Sequence, residues 1–147
     1  MKDLKFTVTG KSLSKSKLLV KVRDFEIIVD EPLEIGGSNE GPNPLEYLLI
    51  ALAGCLNVTF RWIAAARGVN IHSLEFMLEG KLNPKKFNGI PTEERAGYKE
   101  ITATLRVKSD APKEVLEDIL REAKKRCPVS DNLMEPTPLK IEIENLQ

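Results

Sequence analysis

Apolar and polar residues alternate over the first thirty positions with the period of two that a half-buried strand requires. Leu4, Phe6 and Val8 alternate with Lys5, Thr7 and Thr9, and Leu18, Val20 and Val22 with Lys21 and Arg23. Asp24 marks a tight turn into a third run, Phe25, Ile27 and Val29. Pro32 should end that strand, because proline cannot donate to a ladder.

The pattern then breaks. Residues 34–44 hold three glycines and two prolines and predict a loop with unusual backbone angles. Asn43-Pro44 opens a helix, with asparagine as N-cap, proline at the first helical position and Glu46 completing a capping box. Gly68 should stop it near Arg67. Its middle is apolar on nearly every side, which predicts a helix enclosed all round. One chain of 147 residues has little with which to surround it, so a homodimer is expected.

The second half repeats the strand signal. Leu74, Phe76 and Leu78 alternate with Glu75 and Glu79, and Ile101, Ala103, Leu105 and Val107 alternate with Thr102, Thr104, Arg106 and Lys108. Between them, residues 83–97 form a long charged loop with Pro84 and Pro91. Asp110 is the expected cap of a second helix with Pro112 near its start. Val115, Leu116, Ile119, Leu120 and Ala123 make the apolar stripe of that helix, which ends at Cys127-Pro128. Leu139, Ile141 and Ile143 predict a last strand. The order βββ-α-ββ-α-β describes an α+β fold, read as one domain over residues 1–147.

Charge narrows the partners. The chain has 22 basic and 22 acidic residues, a balance unlike the basic excess of a nucleic-acid-binding domain. The run Tyr47–Leu56 is about half of the ~20 residues that cross a bilayer, and the N-terminus lacks the apolar stretch of a signal peptide. A cytoplasmic protein with no membrane partner is therefore expected. One histidine and no Cys-x-x-Cys give no zinc spacing, so no metal is expected.

The two cysteines carry the remaining chemistry, unless both are inert. Cys55 lies in the apolar helix, on one face with Ala51 and Thr59. It reads either as a small buried hydrophobe, as most free cysteines are, or as a nucleophile, which needs a nearby cation or donors to hold its thiolate. Cys127 follows Lys124-Lys125-Arg126 at a helix end. It is either the last core residue of the stripe or a second reactive thiol.

The sequence around both cysteines resembles the OsmC/Ohr family. Gly36-Gly37, Gly41-Pro42-Asn43-Pro44-Leu45-Glu46 and Ala51-Leu52-Ala53-Gly54-Cys55 are similar to its first-cysteine region, and Thr59-Phe60-Arg61 through Ala64 to Arg67-Gly68 continue the likeness. Arg126-Cys127-Pro128-Val129-Ser130 is similar to its second-cysteine motif. The resemblance implies an intertwined homodimer with active sites at the subunit interface and the two cysteines adjacent in space. It further implies a cysteine-based hydroperoxide reductase in which Cys55 attacks an organic hydroperoxide, and hydrogen peroxide less readily. Cys127 then resolves the sulfenic acid to a disulfide. No bound cofactor is implied; an external dithiol, in this family a lipoyl-bearing protein, is the reductant.

Three positions depart from the best-understood members. Their glutamate ten residues before the first cysteine is replaced by Leu45, and Glu46, nine before, falls on the opposite face of an ideal helix from Cys55. Glu46 is thus a cap, or a peroxide-binding group if the helix bends at Gly54. Arg23 is the candidate for the family's activating arginine, against a solvated strand residue beside Lys21. Ser130 stands where many relatives have histidine. The rival function is a non-catalytic dimer that binds an apolar ligand or senses oxidants through the same cysteine pair.

Overall fold

A computed structural model describes residues 1–146. The chain divides into two compact units, residues 1–50 and 51–147. The secondary structure is mixed, with two antiparallel sheets and three α-helices in the order βββ-α-ββ-α-α.

In the first unit, β1 (Thr9–Ser12), β2 (Leu18–Val22) and β3 (Phe25–Val29) form a meander, with Val20 paired to Gly10 on one side and Ile27 on the other. The turn between β2 and β3 is the two-residue Arg23-Asp24, and Arg23 takes φ 50° to make it. The expected strand over Leu4, Phe6 and Val8 is not formed: pairing begins only at Thr9, and the three side chains are exposed.

The loop that follows is organised by one buried carboxylate. Asp30 has no exposed surface, and its oxygens accept the backbone N–H groups of Glu31, Ser38 and Glu40. Two glycines let the backbone fold around it. A Cβ on Gly37 would lie 1.8 Å from the Glu31 carbonyl oxygen, and one on Gly41 2.3 Å from that of Ile28. At the loop's end the Tyr47 hydroxyl donates to the Ile28 carbonyl at 2.7 Å.

Helix α1 (Pro44–Ala66) opens with the capping box the sequence predicts. The Glu46 N–H donates to Asn43 Oδ1 at 2.9 Å, and the Asn43 N–H donates back to Glu46 Oε2 at 2.8 Å. It closes at Gly68, φ 70°, where the Val69 N–H reaches the Ala64 carbonyl and the Gly68 N–H that of Ala65, the two bonds of a Schellman turn.

In the second unit, β4 (Ile71–Lys81) and β5 (Glu100–Ser109) form a long hairpin in which Leu74 pairs with Val107 and Phe76 with Leu105. Helix α2 (Lys113–Arg126) and the short α3 (Pro128–Met134) follow. The core is Phe60, Ile63 and Ala64 of α1 with Ile119 and Ala123 of α2, packed against Leu74, Leu105 and Val107. Arg67, just past α1, makes ion pairs with Asp118 and Glu122 of α2.

Three expectations need correction here. Asp110 does not cap α2; its carboxylate lies 3.0 Å from His72 Nε2, and Pro112 occupies the cap with no side-chain bond. The last strand is absent: Leu139, Ile141 and Ile143 lie outside any strand and are 82–95% exposed. Nor is α1 enclosed. Leu52, Leu56, Phe60, Ile63 and Ala64 are buried in one stripe, while Leu48, Ile50, Val58 and Trp62 are exposed. Periodicity identified these apolar segments correctly; within one chain they lack a surface to pack on.

The Asp30 carboxyl is pushed down to about 2. Burial alone would raise it, but hydrogen bonds from Ser16 and from the Glu31, Glu40 and Ser38 amides outweigh that effect. A depressed acid stabilises the fold above its ordinary value of 3.8, and the contribution is lost as pH falls toward 2. Thermal melts should therefore drop across that window in the native chain, and Asp30→Asn should flatten the dependence there.

Candidate active site

The second unit holds a thiol pair. Cys55 lies on the middle of α1, one position before the buried Leu56. Cys127 sits between two helices because Pro128 cannot continue α2 with a backbone donor. It serves as C-cap of α2, its N–H donating to the Ala123 carbonyl, and as N-cap of α3, its sulfur accepting the Ser130 N–H at 3.4 Å. Capping two helices fixes where that sulfur points.

The sulfurs of Cys55 and Cys127 are 2.7 Å apart, with the Cys127 thiol as donor. Cys127 is fully buried and Cys55 half-buried. Leu52, Leu56, Phe76, Leu78, Ile101, Leu105 and Val129 surround the pair. Against these apolar side chains, the Ser130 amide is a polar group on the Cys127 sulfur. Burial pushes the Cys127 thiol above its ordinary value, the Cys55 contact adds to the shift, and the Ser130 amide opposes it weakly. Cys127 therefore keeps its proton, and that proton is aimed at the Cys55 sulfur. Cys55 is the more accessible of the two sulfurs.

The other candidates are held by local partners in the first unit. Glu46 is exposed, and its carboxylate closes the capping box with Asn43. Arg23 is exposed in its hairpin turn, its guanidinium carbon 4.9 Å from the centre of the Phe25 ring. Thr59 shares the face of Cys55, but its hydroxyl donates to the Cys55 carbonyl at 2.8 Å rather than to the sulfur.

Two features escaped the sequence reading. Cys127 as a double cap depends on α3, which periodicity missed because Pro128–Met134 makes only two turns with no apolar stripe. The Arg67 clamp joins residues far apart in sequence; only the basic residue at the end of α1 and the acidic face of α2 hinted at it.

The second unit thus brings the two cysteines together, one on the long helix α1 and one at the junction of α2 and α3. Residues 37–142 match the model of the OsmC-like protein family, and the chain belongs to that family. No curated protein matches the sequence significantly. Among solved structures, the chain is similar to an OsmC-like protein from Mycoplasma pneumoniae, at 24% identity and a TM-score of 0.79, covering 92% of this chain and 91% of that one. It is also similar to an organic hydroperoxide resistance protein from Elizabethkingia anophelis, at 17% identity and a TM-score of 0.68, covering 92% and 93%. A third likeness is to an organic hydroperoxide resistance protein OsmC from Legionella pneumophila, at 18% identity and a TM-score of 0.64, covering 89% and 91%. At identities this low the likeness shows a shared fold, over about nine-tenths of each chain.

The measured separation sets a test. Mild oxidation of the native chain should join Cys55 to Cys127 within one subunit, read as the loss of two hydrogens in intact mass and a single linked peptide after digestion. Cys55→Ser or Cys127→Ser should abolish both signals.

Proposed function

We propose that the protein is a thiol-dependent peroxidase that reduces organic hydroperoxides, with Cys55 as nucleophile and Cys127 as resolving thiol. One observation carries this reading: a proton-bearing buried sulfur 2.7 Å from a half-buried one inside an apolar shell. The Cys55 thiolate attacks the distal oxygen of R-OOH. The O–O bond breaks, R-OH leaves with one proton, and Cys55 becomes a sulfenic acid. The Cys127 thiol then attacks that sulfur, a disulfide forms, and water leaves. An external dithiol, such as a lipoyl-bearing protein, restores both thiols by exchange.

The environment favours this division of roles. A thiolate is the reactive form, and Cys55 is the sulfur of the pair that a substrate can reach. Leu52, Phe76, Leu78 and Ile101 offer an apolar wall to the R group, which hydrogen peroxide lacks. Arg23 is kept as the candidate cation for the peroxide, since it is in no ion pair among the described residues. Glu46 is assigned to capping α1.

A homodimer belongs to the same reading. Helix α1 is long and apolar enough to cross a membrane by length and composition, with a mean hydropathy of 1.7, and only 28% of its most apolar stretch is buried. Its buried stripe ties it into a protein core, so the exposed Val58 and Trp62 are read as the face covered by a second copy. Light scattering should then give a dimer at micromolar concentration, and Trp62→Lys should shift it toward monomer.

Turnover of cumene hydroperoxide with a dithiol should be lost in Cys55→Ser. Without reductant, Cys127→Ser should consume one equivalent and stop at the Cys55 sulfenic acid, whereas the native chain stops at the disulfide. Arg23→Met should slow the oxidative step about ten-fold or more, on the order of 1.4 kcal/mol. Oxidation of the pair without any turnover would point instead to an oxidant sensor.

A further inference from the structure

The hairpin β4–β5 opens, at its Lys81–Glu100 end, into a loop over residues 82–99. Leu78 and Ile101, which pack on the thiol cluster, lie within three residues of that end. The tip of the loop is a built turn. The Lys85 N–H is held by Asn83 Oδ1 at 3.0 Å, Asn88 N–H reaches the Pro84 carbonyl, and Ile90 N–H reaches that of Lys85 at 2.9 Å. Gly89 N–H donates to the Lys86 carbonyl, and Gly89 takes φ 70°, so the turn closes as a Schellman motif. The loop base is fixed by the Lys99 N–H to the Lys81 carbonyl and by the Lys99–Glu94 ion pair.

This turn presents apolar side chains to solvent. Phe87 is 82% exposed and Ile90 50% exposed, flanked by the exposed Lys85 and Lys86 and by Lys81 at the base. None of these lysines is in an ion pair among the described residues. Glu100 faces Lys81 across the ladder, and Glu93 and Glu94 of the loop are outnumbered by Lys85, Lys86, Arg95 and Lys99, with Lys85 near enough to Glu94 to help lower its carboxyl. The balanced charge of the whole chain hides this local excess.

We propose that the Lys85-Lys86-Phe87 turn is a peripheral membrane anchor that docks the protein on an anionic lipid surface and brings the thiol pair to acyl hydroperoxides formed there. An exposed aromatic and an aliphatic side chain beside lysines suit the boundary between headgroups and acyl chains. The lysines are attracted to anionic headgroups, while the ring enters the apolar layer. A protein interface fits the composition less well, since lysine is depleted from such interfaces. The sequence excluded a membrane partner for want of a spanning run and of a signal peptide; surface docking needs neither. The substrate class rests on the peroxidase reading, and the reduction uses the same thiol pair and the same dithiol, so no further reactant is required.

The test uses the full reduced protein with phosphatidylcholine vesicles, with and without phosphatidylglycerol. Binding should need the anionic lipid and should fall as salt rises from about 0.05 to about 0.5 M. Phe87→Ser should weaken it about tenfold or more, as should Lys85→Glu with Lys86→Glu. Both variants should turn over water-soluble cumene hydroperoxide at the native rate, yet lose activity on a phospholipid hydroperoxide embedded in the anionic vesicles. Binding that ignores lipid charge, or is unchanged in Phe87→Ser, would overturn the anchor. So would a change of oligomeric state in Phe87→Ser, which would make the turn an interface between copies. Native vesicle binding without turnover of either hydroperoxide would sink the peroxidase reading and leave the anchor standing.

Discussion

The packing of one stripe of α1 is the constraint on which the rest depends. Leu52, Leu56, Phe60, Ile63 and Ala64 recur at helical spacing and are buried, and they place Cys55 beside Leu56 at the edge of the core. The lower half of the stripe meets Ile119 and Ala123 of α2. Its upper half meets the hairpin and the end of α2, where Cys127 lies. Removing a side chain as large as Phe60 from such a site costs about 3–5 kcal/mol, a large share of a domain's stability. Core packing therefore places Cys55, while the local Cys127-Pro128 junction sets the second sulfur.

Burial also separates the two sulfurs chemically. Water stabilises a thiolate, and Cys127 has none around it, so its proton is held. Cys55 keeps partial access and receives that proton as a hydrogen bond. A symmetric pair in water would show no such bias. From sequence, the basic run Lys124-Lys125-Arg126 favours a thiolate at Cys127 and the C-terminal end of the helix dipole opposes it. In the structure Lys124, Lys125 and Arg126 are exposed, and Arg126 is drawn to Glu122, so desolvation decides the direction.

Much of the fold was legible because its signals are local. The capping box at Asn43 and Glu46, the Gly68 stop and the alternation in β2 to β5 depend on residues a few positions apart. Helix α3 and the Asp110 contact were not legible, since a two-turn helix has no periodicity to read and Asp110 chose a partner 38 residues away. At the site, both cysteines stood out from the motifs, but their separation is a long-range fact that no spacing encodes. The glycines of the loop at residues 36–41 show the intermediate case. Their presence announced an unusual backbone, while the reason, carbonyls of Glu31 and Ile28 pressing where a Cβ would stand, needed coordinates.

The misses at the two ends of the chain share one physical cause. Leu4, Phe6 and Val8, like Leu139, Ile141 and Ile143, carry a strand's alternation and yet remain exposed outside any ladder. A strand is stabilised by its neighbour, through backbone bonds and cross-strand pairs, and not by its own sequence. Alternation therefore states that a segment is suited to a sheet, never that the sheet is supplied by the same chain. Exposed apolar alternation of this kind is hazardous in an isolated protein, because it templates uncontrolled pairing. The same holds for Val58 and Trp62 on α1, an exposed helical face that periodicity marks as suited to burial. In all three segments the patterning is intact, and what is missing among the described residues is a surface for it to meet.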